Sequence, residues 1–132
     1  MPIKKIEHIG IAVKSLKEVA LFYQEKLRLE MSHIEIHEEQ KAKVGFLSVE
    51  DVELELLEST SSGGPIAKFI EKNGEGIHHI AFRVGDIQTT LADLKEKGVR
   101  LINEQPRIGA KGIKMAFMHP KGTPSEMGME TR

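Results

Sequence analysis

The chain states one motif twice. Glu7-His8-Ile9-Gly10-Ile11-Ala12-Val13 returns as His78-His79-Ile80-Ala81-Phe82-Arg83-Val84, with His79 lying 71 positions after His8. Each copy is a short apolar run opened by histidine and followed by a helix-start signal. A period of about half the chain exceeds one supersecondary unit, so the repeat implies a duplicated half-domain. Equivalent residues of two such halves gather around a common axis. Two equivalent histidines are then the beginning of a metal site.

Each half can be read for its elements. Ile6–Val13 is β-branched and apolar, as a strand requires. Ser15-Leu16-Lys17-Glu18 is a capping box, and apolar residues at 16, 19, 20, 23 and 27 predict a helix from about 16 to 26. Strands are expected over 29–37, 42–49 and 52–57, with a turn at Glu50-Asp51. The first half is therefore βαβββ, over about residues 5–58. Ser59–Gly64 is small and polar and reads as a linker. Pro65 suits the first position of a short helix, which Asn73-Gly74-Glu75-Gly76 ends. The second half, about 76–132, replays the order: a strand over 77–84, a helix capped by Asp86 and stopped by Gly98, strands over 99–103 and 113–118, and a last strand from about Ser125. Pro106–Gly112 reads as a loop and His119-Pro120-Lys121-Gly122 as a turn. The expected fold class is α+β, one domain over residues 1–132, with its modules joined through 59–75.

Composition narrows the chemistry. A net charge of −1 over 132 residues gives no basic surface for nucleic acid or an acidic membrane. No apolar run could span a bilayer, the start lacks a signal-peptide core, and the expected compartment is the cytoplasm. With no cysteine, any metal must be held by nitrogen and oxygen.

Those ligands are available in pattern. Each half opens with a strand histidine and closes with a strand bearing acids: Glu53 and Glu55, with Glu58 after them, in the first half, and Glu126 and Glu130 in the second. Strand side chains alternate, so Glu53 and Glu55 share a face. Two imidazoles and two carboxylates suit Mn, Co, Ni, Zn or Fe as divalent ions, with positions left open for substrate oxygens. The competing reading is ordinary: alternating charges are normally a strand's solvent face. His33, Glu35 and His37 are read that way, His119 as a turn-shaping residue, and His78 as pointing opposite to His79.

Glu55-Leu56-Leu57-Glu58, Pro65-Ile66-Ala67-Lys68-Phe69-Ile70, Gly74-Glu75-Gly76-Ile77-His78-His79-Ile80-Ala81-Phe82 and Phe117-Met118-His119-Pro120-Lys121 together resemble the vicinal oxygen chelate superfamily, and within it the methylmalonyl-CoA epimerases. The resemblance spans about residues 5–123. It implies two βαβββ modules whose strands form a cup-shaped mixed sheet around one divalent ion (Co, Mn, Ni or Zn). Carried over by position, the ligands are His8, Glu55, His79 and a glutamate of the last strand. Glu130 is taken as that fourth ligand and as the catalytic base, the alternatives being Glu126 or a site without a fourth ligand. His79, rather than His78, superposes on His8.

The implied activity is epimerisation of methylmalonyl-CoA by removal of its α-proton, through a metal-stabilised enolate. Arg107, Lys111 and Lys121 are the candidates for binding the acyl-CoA, and a homodimer is expected. The alternatives are a glyoxalase I-type lyase on the same scaffold and a non-catalytic small-molecule binder.

Two departures stand out. The family spacing after the His-Pro-Lys turn falls on Met129, one residue short of Glu130. Some epimerases of this type also carry a carboxylate on the third strand, where Lys43-Val44-Gly45-Phe46 has none. One of the two expected proton-transfer groups is therefore unassigned.

Overall fold

The computed structural model describes residues 3–108 and 112–118, and the backbone of 126–131. The chain divides into two compact units, residues 8–78 and residues 1–7 with 79–132. The division passes through strands β1 (Ile3–Ala12) and β5 (Gly76–Val84), immediately before His8 and His79.

In the first unit, β1 is followed by helix α1 (Leu16–Leu21) and by strands β2 (Met31–His37), β3 (Ala42–Val49) and β4 (Val52–Ser59). Helix α2 (Pro65–Asn73) comes next. The strand order is β2-β3-β4-β1, with β4 parallel to β1 and the other pairs antiparallel. The second unit continues from β5 through helix α3 (Ile87–Glu96), then β6 (Arg107–Ile108), β7 (Lys114–Met118) and β8 (Glu126–Thr131), in the order β5-β8-β7-β6. Again the first and last strands pair parallel. Both modules are βαβββ.

The repeat extends to register. His8 pairs with Glu53 and Gly10 with Glu55, while His79 pairs with Glu126 and Ala81 with Gly128. In each module the histidine of the first strand stands opposite a glutamate of the last, as two copies of one βαβββ unit place them.

The first core lies between α1 and one sheet face. Val13, Leu16, Ala20, Leu47 and Leu56 are buried together. Each fully buried leucine contributes about 1.5–3 kcal/mol over leaving it in water. Gly45 permits that packing, because a Cβ there would lie 2.9 Å from Leu16 Cδ1 and from Met31 Cε. The second core repeats the arrangement with Val84, Ile87, Leu91, Ala116 and Met118.

Both helices start as expected. Ser15 Oγ accepts from the Glu18 amide at 3.2 Å, and Asp86 accepts from the Gln88 and Thr89 amides. A distant carboxylate also serves this end of α1: Glu58 Oε1, reaching from the end of β4, accepts from the Leu16 amide at 2.6 Å.

Three expectations need correction. The helix over 16–26 is α-helical only to Leu21, and Phe22–Lys26 forms a π-helical turn. The Leu29 amide then reaches back to the Tyr23 carbonyl, and Leu27 is exposed rather than core. Residues 99–103 are not a strand; Leu101 alone bridges to Met118. There the Asn103 side-chain oxygen accepts from the Phe117 amide, taking the place a strand carbonyl would fill. Within the expected loop, Arg107–Ile108 pairs with β7.

Candidate metal and proton-transfer site

Directly paired strand residues share a face. On β1 and β4 that puts His8, Gly10, Glu53 and Glu55 together, away from the helix-covered core. Antiparallel pairing extends the same face across β3 and β2. Glu55 lies opposite Phe46, which lies opposite His33; Leu57 lies opposite Val44, which lies opposite Glu35.

His8 and Glu55 are 3% and 8% exposed, and His8 Nδ1 is 3.4 Å from Glu55 Oε2. A buried carboxylate is costly unless paired or coordinated. Gly10, opposite Glu55 on β1, has no side chain to crowd this corner. His79 occupies the matching place in the second module. It is 7% exposed, and its ring meets Phe117 edge-on at 5.7 Å. His78 points elsewhere, as expected, its ring edge-on to Phe69 at 4.9 Å. Burial pushes the His78 imidazole below its ordinary pKa.

The last strand changes the expectation for the fourth corner. The position in β8 that matches Glu55 is Gly128, opposite Ala81 as Glu55 is opposite Gly10. Glu126 and Glu130 stand two residues to either side of it, so their backbone positions have the same strand parity. Their side chains lie outside the described residues, as do Lys111 and Lys121 altogether. Arg107 is exposed, on β6.

The larger surprise is β2. The odd-numbered polar residues are not on a wet outer face. His33, Glu35 and His37 are half-buried on the face that carries Glu55, while Ile34 and Ile36 are exposed. A register shift between Met31 and His33 causes this. It lets Met31 pack toward the α1 core while His33, two residues on, turns to the other face. His33 stacks on Phe46 with ring centroids 4.4 Å apart. Glu35 then accepts from both imidazoles, from His33 Nε2 at 2.7 Å and His37 Nε2 at 2.9 Å. The His37 hydrogen bond above all, with that of His33 and the charges of both rings, holds the Glu35 carboxyl below its ordinary pKa against a smaller opposing effect of burial.

Such a face, with buried imidazole and carboxylate donors and no thiolate, suits a divalent ion of intermediate hardness that exchanges oxygen ligands. Residues 7–117 match the glyoxalase/bleomycin resistance protein/dioxygenase superfamily, and the chain belongs to it. Within that class, the chain is 37% identical over 121 residues to the ethylmalonyl-CoA/methylmalonyl-CoA epimerase of Cereibacter sphaeroides, covering 90% of each. It is 43% identical over 119 residues to the uncharacterized protein YqjC of Bacillus subtilis, covering 90% of this chain and 85% of that one. A solved methylmalonyl-CoA epimerase in complex with methylmalonyl-CoA and NH4+ superposes with a TM-score of 0.93 at 36% identity, over 98% of this chain and 94% of that chain. Among the described residues, no helix is long and apolar enough to cross a membrane.

Proposed function

We propose that this protein is a metal-dependent epimerase of methylmalonyl-CoA, with His8, Glu55 and His79 as ligands and Glu130 as the fourth ligand and a proton-transfer base. One observation supports it above the rest. The buried His8–Glu55 pair stands on matched strands of one module, and His79 stands at the position equivalent to His8 in the other. All three residues are buried, and each offers one donor atom. The likeness to the epimerases supports the substrate class, and the donor set supports the chemistry.

A bound divalent ion would supply Lewis acidity to the thioester and carboxylate oxygens of the substrate. The chain's own residues do the rest. Burial of His8, Glu55 and His79 excludes water from the donors. A carboxylate removes the α-proton, the C–H electron pair moves into the thioester carbonyl, and a proton returned to the opposite face completes the inversion. Arg107, with Lys111 and Lys121, would meet the CoA phosphates, and assembly as a cytoplasmic homodimer belongs to the same reading.

Incubation of the cobalt-loaded protein with methylmalonyl-CoA in D2O tests the reading. Deuterium should enter the α-carbon and the two epimers should interconvert. Absence of exchange, together with turnover of a methylglyoxal–glutathione hemithioacetal, would establish the glyoxalase I alternative. Absence of both, with tight small-molecule binding, would make the protein a binder.

A further inference from the structure

We infer that Glu35, on the edge strand β2, is the second proton-transfer residue of the site, in place of the third-strand carboxylate that this chain lacks. The inference rests on the epimerase reading above.

The position without a carboxylate is Val44, which is buried on the face that bears Glu55. Its direct partner on the next strand is Glu35. Directly paired residues in an antiparallel ladder point to the same side, with Cβ atoms about 5 Å apart. The carboxylate has thus moved one strand outward along the same row and kept its face. On strand spacings alone, the Glu35 and Glu55 Cα atoms stand about 12 Å apart, two strands across and one pleat along.

The surroundings suit a proton-transfer group rather than a surface charge. An ionised carboxylate only accepts, so the short contacts from His33 Nε2 and His37 Nε2 assign both as N–H donors. Each carboxylate oxygen is held by one ring, and His33 is itself held flat on Phe46. The carboxylate is thereby aimed, with each oxygen fixed by one ring. The strand irregularity between Met31 and His33 brings the whole group to this face.

The step balances simply. From one epimer, Glu35 takes the α-proton as the C–H bond breaks, and the electron pair passes into the thioester carbonyl. The site's other base, Glu130 in the epimerase reading, delivers its proton to the opposite face and forms the new C–H bond. In the reverse direction Glu35 gives the proton back. Each group serves one face.

That division of faces gives the test. Metal-loaded wild-type, Glu35→Gln and Glu35→Asp proteins are compared for interconversion and for α-deuterium exchange, starting from each pure epimer in D2O. Cobalt affinity is measured beside them. Glu35→Gln should lower interconversion at least 100-fold while one epimer still exchanges, and cobalt affinity should stay within threefold. Glu35→Asp should recover part of the rate, and Val44→Glu added to Glu35→Gln should recover at least tenfold. Interconversion by Glu35→Gln within tenfold of wild type overturns the inference, as does equal loss of exchange from both epimers. A wild type that exchanges neither epimer overturns the epimerase reading, and this inference with it.

Discussion

Several carboxylates serve the chain's own backbone and charges. Glu58 accepts from the Leu16 amide, Glu75 from the Lys14 amide at 2.7 Å, and Glu7 from the Arg83 guanidinium at 2.6 Å. Glu55 differs, being buried against the His8 imidazole on the face away from the helix-covered core. Replacing His8, Glu55 or His79 by alanine should each lower cobalt affinity by about 100-fold, since an open catalytic site has few protein ligands to lose. Glu58→Gln should leave it within about threefold, and titration of the purified proteins with Co2+ separates the two groups. The same titration decides the last strand: Glu130→Gln should weaken binding at least tenfold and Glu126→Gln should not. His8 and His79 were legible in the sequence because duplication places the same residue type twice. Glu35 was not legible. Its alternation with His33 and His37 was plain, but the face was read from parity alone, and a register shift just upstream reverses that parity.

At the level of elements, local chemistry carried the reading where it was self-contained. The caps of α1 and α3 needed only the Ser15 and Asp86 side chains, and both are in place. Elements whose limits depend on distant partners were read less well. The Asn103 side chain takes a ladder bond where hydrophobicity alone predicts a strand, and Glu58, 42 residues on from Leu16, accepts from the first amide of α1. Ser15→Ala should therefore cost only about 1 kcal/mol. Glu58→Ala, which leaves a part-buried amide without its acceptor, should cost about 1–3 kcal/mol in urea unfolding. His78 on β5 gives a pH signature. Its folded pKa is depressed by burial, so the unfolded state binds the proton more readily. The stability it contributes is fully present above the unfolded value of about 6.5 and is lost as pH falls below it. Unfolding midpoints at pH 7.5 and 5.5 should differ more for the wild type than for His78→Phe, which keeps the ring against Phe69.

For the whole molecule, the division just before His8 and His79 puts the proposed ligands in both units: His8 and Glu55 in one, His79 in the other. The duplicated βαβββ order was readable from the repeat because a half-domain of this length must reproduce its register to reproduce its fold. Glu7, 1% exposed, holds the 1–7 segment to Arg83 within the second unit. Arg83 keeps access to water, so Glu7→Ala should cost about 1–3 kcal/mol of global stability, chiefly the lost charge-assisted hydrogen bond. A metal held by ligands from both units would bind only the native arrangement of both. Free ion at about 100 times its dissociation constant should then add about 2.7 kcal/mol to unfolding free energy. For a chain of this size that is a rise in Tm on the order of 10 °C. Chelation should reverse it, and differential scanning calorimetry with and without Co2+ measures it. The rise should vanish in His79→Ala as completely as in His8→Ala, with one transition and not two in the loaded wild type. A rise that survives loss of His79 would mean that the ion is held within residues 8–78 alone.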